Sequence, residues 1–304
     1  MYKLLNGLFG LILLCGSIHG QEELLVIGRT TGEITIDNKR LNVFGFTNTL
    51  SGQVTLPGVK LEANVGDSMV IDFWNISQGD PHIISINGID MERVDDEVPN
   101  TEPVYHMDHA YYHINTDKPG SYLYYNPFNY PFNVQAGMFG VMIINPSDNT
   151  MNDEANISDN IWCSFEVDTL WHKAEILEKE KGVDGKFSMT YNPQYFLINS
   201  LPIHEIEVNG LEGEDVVILR LLNAGQYINE IIFPDQFDVK QLYENKEVSF
   251  NTDGYNKVIL NSMESIDLKI EHHDHNNNDL KIQYNFINPD SQKIEFTDLI
   301  KWNE

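Results

Sequence analysis

The sequence predicts an all-β protein. Throughout residues 22–145 the apolar or alternating runs are short, and glycine, asparagine and aspartate interrupt them, which is typical of strands joined by turns. Similar strand-like runs resume at residue 160 and continue to the C-terminal end. One charged segment, residues 173–186, favours a helix or irregular structure instead. The length of 304 residues is enough for two domains of ordinary size.

The charge balance is strongly acidic, with 19 Lys+Arg against 46 Asp+Glu and a net charge of −27. Binding to phosphate groups needs clusters of lysine and arginine, so nucleic acids and anionic membrane surfaces are poor partners, and we expect no nucleic-acid binding. Cations, basic partners or a salty environment suit such a chain better.

The N-terminal segment predicts export. Lys3 is followed by an apolar run over residues 4–14 and then by small residues. This run is too short to span a bilayer as a helix, and the pattern is that of a secretory signal peptide cleaved before Gln21. Cys15 offers an alternative, a lipoprotein signal. No second long apolar stretch follows, so we expect a periplasmic or secreted protein without a transmembrane segment in the mature chain.

The two cysteines of the chain are Cys15 and Cys163. Removal of the signal peptide leaves one, so the mature chain has no internal disulfide. Because Cys163 lies in a strand-like run without a following histidine, we interpret it as a small buried apolar side chain.

The most informative stretch is Pro119–Ile144, which reads as a strand, a loop and a second strand. Residues 119–125 (PGSYLYY) are a turn followed by alternating aromatics, and residues 137–144 (GMFGVMII) are an apolar run after glycines. This stretch resembles the end of the first cupredoxin domain of multicopper oxidases. Four further stretches are similar to segments of that family, in the family's order: residues 56–75, 80–90, 195–225 and 258–271.

The resemblance covers about residues 40–270. It implies an all-β fold of two tandem cupredoxin-like Greek-key β-sandwich domains. The expected division of the chain is a signal peptide at 1–20, a first domain at 21–147, a linker at 148–159 and a second domain at 160–304.

Copper is the cofactor that the resemblance implies. A type-1 copper site uses two histidines, a cysteine thiolate and often a methionine. His82 and Met138 match the positions of one histidine and the methionine, whereas Asn126 falls on the cysteine and Asn133 on the second histidine. We interpret His82 as a residue that hydrogen-bonds within its domain, and the alternative is a copper ligand.

The family's trinuclear copper cluster is built from histidines of two domains. By the resemblance, Asn87, Tyr125 and Pro127 stand at three of those histidine positions. Asparagine is a poor copper ligand compared with imidazole. The ligand pattern therefore leaves open whether this protein binds copper or no metal.

Two other histidine groups are candidates for metal binding. His109 and His113 share one face of a predicted strand with Tyr111, because side chains alternate along a strand, and His106 lies just upstream. The second group is the loop at 271–279, which contains His272, His273 and His275; such tracts bind copper, nickel or zinc weakly. The alternative for this loop is a polar hairpin tip.

From these observations we expect an exported, multicopper-oxidase-like protein with degenerate copper sites, acting as a non-catalytic binding or assembly module. Its partner would be another protein or further copies of itself. The alternatives are a copper-dependent oxidoreductase with a divergent copper site and a periplasmic metal-binding protein that uses surface histidines. No residue is assigned a catalytic role, since the sequence contains no nucleophile elbow, P-loop or dinucleotide fingerprint.

Overall fold

The computed structural model describes residues 22–95, 97–147, 157–180, 189–209, 216–243, 249–251, 256–272 and 280–303. The prediction of an all-β protein is confirmed, since strands dominate the described chain. Within these ranges, none of the helices combines the length and apolar character needed to cross a membrane. The predicted linker at 148–159 falls mostly outside the described residues, so the division into domains stays a prediction.

The described part of the first half contains nine strands and one short α-helix. They are β1 (Glu22–Ile36), β2 (Lys39–Thr47), β3 (Leu61–Asn64), β4 (Met69–Asn75), β5 (Ser85–Ile86), β6 (Met91–Arg93), β7 (Asp108–Ile114), β8 (Gly120–Tyr125), α1 (Phe132–Gln135) and β9 (Phe139–Asn145).

The second half contains twelve described strands and one further α-helix. They are β10 (Ile157–Val167), α2 (Ala174–Glu180), β11 (Tyr195–Ile198), β12 (Leu201–Pro202), β13 (Glu207–Asn209), β14 (Val216–Asn223), β15 (Ile228–Phe233), β16 (Phe237–Gln241), β17 (Ser249–Asn251), β18 (Asn256–Leu260), β19 (Ser265–His272), β20 (Leu280–Ile287) and β21 (Ile294–Asn303). Helix α2 lies within the charged segment 173–186.

Two sheets enclose the core of the first half. The first sheet has the order β2-β1-β4-β7-β6, and the second has the order β3-β9-β8-β5. Phe73 and Tyr112 from the first sheet pack in one buried cluster with Tyr124 and Met142 from the second. The predicted strand–loop–strand unit at 119–144 is confirmed as β8 and β9, with α1 in the loop between them.

Strand β4 differs from its sequence-based expectation. The pattern from Met69 to Trp74 predicts alternation between core and surface, but every residue of the strand except the half-buried Trp74 is buried. The reason is its position between β1 and β7 in the middle of the sheet. Neighbouring side chains cover the outward-facing Val70 and Asp72.

Two further sheets form the second half, with the orders β12-β11-β10-β14-β19-β16 and β13-β21-β20-β15-β18-β17. Their core includes Trp162 and Leu219 from one sheet and Tyr284 and Phe286 from the other. Burial of such large side chains is a main stabilising contribution, and Cys163, the one cysteine in the described part of the chain, forms no disulfide.

An apolar cluster joins the two halves. Leu123 and Val141 of the second sheet lie in the same buried cluster as Phe165 and Leu222 of the third. Phe139 packs against Phe165 with ring centroids 5.1 Å apart. The halves therefore share a continuous hydrophobic interface.

A buried polar network crosses the same interface. The guanidinium of Arg220 on β14 binds the carboxylate of Asp159, with Nε to Oδ1 at 2.8 Å, and lies 3.5 Å from Oδ1 of Asp267 on β19. Asp267 in turn accepts hydrogen bonds from the backbone N–H (2.9 Å) and the hydroxyl of Ser121 on β8. This network connects the second sheet to the third.

Removal of the Asp267 carboxylate should destabilise the protein strongly. Asp267→Ala removes the buried carboxylate beside Arg220, which keeps its contact with the half-exposed Asp159, and removes the acceptor of the Ser121 N–H and hydroxyl. Breaking a buried ion pair in this way costs about 3–5 kcal/mol. Asp238→Ala removes the exposed partner of Lys240 and should change stability little. Chemical denaturation of both variants measures the difference, and equal stabilities would show that the network does not stabilise the interface.

Candidate functional site

The candidate site lies where a loop after β4 meets the end of β8. Asn75 shapes this loop, because its Nδ2 donates to the carbonyls of Asp80 (2.5 Å) and Val104 (2.8 Å) while its Oδ1 accepts from the backbone N–H of Ser77 at 2.8 Å. His82 follows, and its backbone forms a two-hydrogen-bond bridge with Val104. These contacts direct the buried imidazole of His82 toward Asn126, the residue after β8.

The orientation of the Asn126 amide follows from its partners. Its Oδ1 accepts from the backbone N–H of Ile83 (3.2 Å) and of Phe128 (2.9 Å). Both of these groups can only donate, so the amide nitrogen must face the other way. There it lies 3.0 Å from Nδ1 of His82 and 3.3 Å from Sδ of Met138. The –NH₂ group thus lies between the imidazole and the thioether and donates to both.

This arrangement determines the tautomer of His82. Since Nδ1 accepts the amide proton, Nε2 carries the hydrogen and donates to the hydroxyl of Ser77 at 2.8 Å. Burial lowers the pKa of His82 to about 3, so the ring is neutral at physiological pH. The predicted hydrogen bonding of His82 within its own half of the chain is therefore present.

Helix α1 and the turn after it position Met138. The backbone N–H of Met138 donates to the carbonyl of Asn133 at 2.9 Å, and its carbonyl accepts from the N–H of Asn126 at 3.1 Å. Asn133 and Met138 are both buried. The structure therefore brings His82, Asn126 and Met138 together, and their assignment to copper-site positions stays a prediction.

The residues present do not fit a type-1 copper. The thiolate is absent at Asn126, and the Nδ1 and Sδ atoms that would be ligands already accept hydrogen bonds from its amide. Among the described residues, no group of three or more histidine, cysteine, aspartate or glutamate side chains is arranged to hold a metal ion.

Two of the residues that the resemblance assigns to trinuclear-cluster positions, Asn87 and Tyr125, make contacts of another kind. Asn87 donates from Nδ2 to the carbonyl of Met263 at 2.6 Å, which links the two halves of the chain. Tyr125 is half-buried and packs against the apolar cluster at the interface. Asn87 and Tyr125 therefore contribute to the contact between the halves.

The three histidines around β7 lie as predicted along one exposed face or beside it. His109 donates from Nδ1 to Oδ1 of Asp72 at 2.7 Å and stacks on Trp74 with centroids 4.2 Å apart. His113 lies opposite Glu92 in the register between β7 and β6, and His106 is exposed in the turn before β7. The sequence analysis missed Asp72 and Trp74, although an aspartate in the middle of the apolar run MVIDFWN was a visible signal.

The second predicted histidine group cannot be placed. The backbone of His272 ends β19, but its side chain and the whole of His273 and His275 lie outside the described residues. Their proposed metal binding therefore stays a prediction.

Cys163 is fully buried and unpaired, as expected for a small apolar side chain. Burial raises the pKa of its thiol well above the ordinary value, which keeps it protonated and unreactive.

A buried carboxylate that the sequence analysis missed lies near the interface. Glu166 on β10 accepts from the backbone N–H groups of Gln226 and Tyr227 through Oε1. Burial raises its pKa to about 7. Gly225 is required beside it, because a Cβ there would clash with the carboxylate.

His82 and Glu166 should make opposite contributions to the pH dependence of stability. The folded pKa of His82 lies below its unfolded value, so its contribution is lost as pH falls from 7 toward 3. The folded pKa of Glu166 lies above its unfolded value, so its contribution is lost as pH rises from about 4.5 through 7. Each effect amounts to about 2 kcal/mol between pH 5 and pH 7.

The variants His82→Gln and Glu166→Gln separate these contributions. Relative to the unmodified protein, the first should gain about 2 kcal/mol of stability on going from pH 7 to pH 5, and the second should lose a similar amount. Denaturation at the two pH values measures both. Parallel pH profiles for the two variants would contradict the assigned protonation states.

Comparison with known proteins finds a family match in the first half of the chain. Residues 37–149 match the family model described as multicopper oxidase. No curated protein matches the sequence.

Similar solved structures cover nearly the whole chain. The blue copper oxidase from Nitrosomonas europaea is 17% identical with a TM-score of 0.65, over 92% of this chain and 85% of that one. The multicopper oxidase mgLAC is 18% identical with a TM-score of 0.65, over 92% and 86%. The copper nitrite reductase from Nitrosomonas europaea is 13% identical with a TM-score of 0.61, over 93% and 95%. The predicted resemblance is confirmed: residues 37–149 match the multicopper oxidase family model, and the fold of the chain is cupredoxin-like.

Proposed function

We propose that this protein is an exported, non-catalytic binding or assembly module built on a multicopper-oxidase-like fold. The observation that carries the proposal is the Asn126 amide, which donates to both His82 Nδ1 and Met138 Sδ. Because Nδ1 and Sδ both accept a hydrogen bond from this amide, neither atom is available as a ligand to a metal. The thiolate that defines a type-1 copper site is missing as well.

The contacts at the trinuclear positions support the same proposal. In this chain Asn87 binds a carbonyl of the opposite half of the chain, and Tyr125 packs in the interface cluster. The fold is thus preserved while side chains at the metal positions stabilise the protein itself. The export component rests on the basic start and short apolar run of residues 1–20.

One observation favours a second candidate, metal binding at the surface. Asp72 accepts a hydrogen bond from Nδ1 of His109, and metal-ligating histidines commonly donate their other ring N–H to a carboxylate in this way. The undescribed loop that contains His273 and His275 is the other source of ligands for such a function.

Copper loading of the mature protein, residues 21–304, tests the proposal. After desalting, we expect no stoichiometric copper and no intense visible band from a thiolate–copper bond. The double variant Asn126→Cys with Asn133→His supplies the missing ligand types in the same frame and serves as the matched control.

The other outcomes separate the alternatives. Tightly held copper with a blue band or oxidase activity in the unmodified protein would contradict the proposal and favour a divergent copper oxidoreductase. Colourless copper that is lost when His272, His273 and His275 are changed to alanine, or when His109 is changed, would favour a metal-binding protein.

A further inference from the structure

The outer face of the first sheet carries an exposed apolar row. Leu25 on β1 pairs with Asp72 on β4, Asp72 pairs with Tyr111 on β7, and the backbone N–H of Val94 donates to the carbonyl of Tyr111. These residues therefore lie side by side across the sheet. Leu25 and Tyr111 are each 38% exposed and Val94 is 47% exposed, while Asp72 between them is only 7% exposed. Exposed apolar side chains grouped on one face of a sheet mark interaction sites.

The aromatic side chains of this face are held rigidly. Asp72 accepts from Nε1 of Trp74 through Oδ2 and from Nδ1 of His109 through Oδ1, each at 2.7 Å. The His109 ring stacks on Trp74 and meets Tyr111 edge-on with centroids 5.0 Å apart. A surface whose rotamers are already ordered loses less conformational entropy on binding.

The charges around the row select a cationic partner. The next row of side chains on the same face contains two glutamates. Glu23 lies opposite Val70, and Glu92 lies opposite His113. Beside this row is a cavity of about 380 Å³, whose lining includes Asp67, Asp90, Glu92, His113 and Asp117. A second copy of this chain would bring its own net charge of −27 to the contact, and like charges disfavour that pairing.

We propose that this face, defined by Leu25, Trp74, Val94, His109 and Tyr111, is a docking surface for a basic segment of another protein. Apolar side chains of the segment pack on the exposed row, and an arginine or lysine enters the acidic cavity beside it. The inference rests on the proposed function as a binding module and names the chemistry of its partner.

The test uses the mature protein and a short fluorescent peptide that alternates arginine with leucine. Anisotropy at physiological ionic strength measures its dissociation constant. Leu25→Ser with Tyr111→Ser should weaken binding by about tenfold or more, as expected when exposed anchor residues are removed. The matched control is Ile294→Ser with Leu299→Ser, which removes two even more exposed apolar side chains from β21 on another sheet and should leave the affinity unchanged.

Two further measurements make the result specific. Asp90→Asn with Glu92→Gln should weaken binding of the arginine–leucine peptide, and a peptide in which serine replaces leucine should bind the unmodified protein at least about tenfold more weakly. Circular dichroism and thermal midpoints establish that every variant is folded.

Equal affinities for all variants, or for both peptides, would show unspecific attraction to an acidic protein and overturn the proposal. Self-association of the unmodified protein that the Leu25/Tyr111 variant abolishes would also overturn it, in favour of a second copy. Copper loading is independent of this outcome: retained copper would remove the proposed function alone, and unselective peptide binding would remove the docking surface alone.

Discussion

The central interaction of this protein is the pair of hydrogen bonds that the Asn126 amide donates to His82 Nδ1 and Met138 Sδ. Two backbone N–H groups hold the amide oxygen, so the nitrogen cannot turn away. In a low-dielectric interior a buried imidazole and a buried amide need such partners, because an unsatisfied polar group there costs about 1–3 kcal/mol. The resemblance to multicopper oxidases predicts a ligand position at Asn126, and its amide satisfies the hydrogen-bonding capacity of both His82 and Met138.

The rest of the fold supports this interaction through the chain's own backbone and side chains. Asn75 shapes the loop that contains His82, and α1 positions the turn that contains Met138. Asn126 follows β8, which belongs to a sheet whose other face packs on the second half of the chain. Buried aromatic side chains and the Arg220–Asp267–Ser121 network stabilise that packing. A cupredoxin-like frame is therefore compatible with a role in which its outer surfaces, rather than its interior, meet other molecules.

Much of the fold could be predicted from the sequence, because strand alternation and turn residues are local signals. The alternation of Ala110, Tyr112 and Ile114 against His109, Tyr111 and His113 follows from the geometry of one strand. The predicted alternation between core and surface was wrong for β4, because this central strand is covered by neighbouring strands that its own sequence does not indicate. The sequence comparison identified Asn126 and His82 as matched positions, but their bonding depends on the backbone N–H groups of Ile83 and Phe128. The Asp72–His109–Trp74 arrangement and the burial of Glu166 depend on contacts between residues distant in sequence, and no sequence motif predicts such contacts.

The most direct test of the central claim is the nitrogen NMR spectrum of the His82 ring before and after addition of one equivalent of Cu(I). The account predicts a neutral ring with hydrogen on Nε2 and a hydrogen-bonded, unprotonated Nδ1, and both shifts unchanged by the metal. A large shift of the Nδ1 resonance on addition of Cu(I), together with loss of the Asn126 amide hydrogen bond, would show that the site binds metal and would contradict the account.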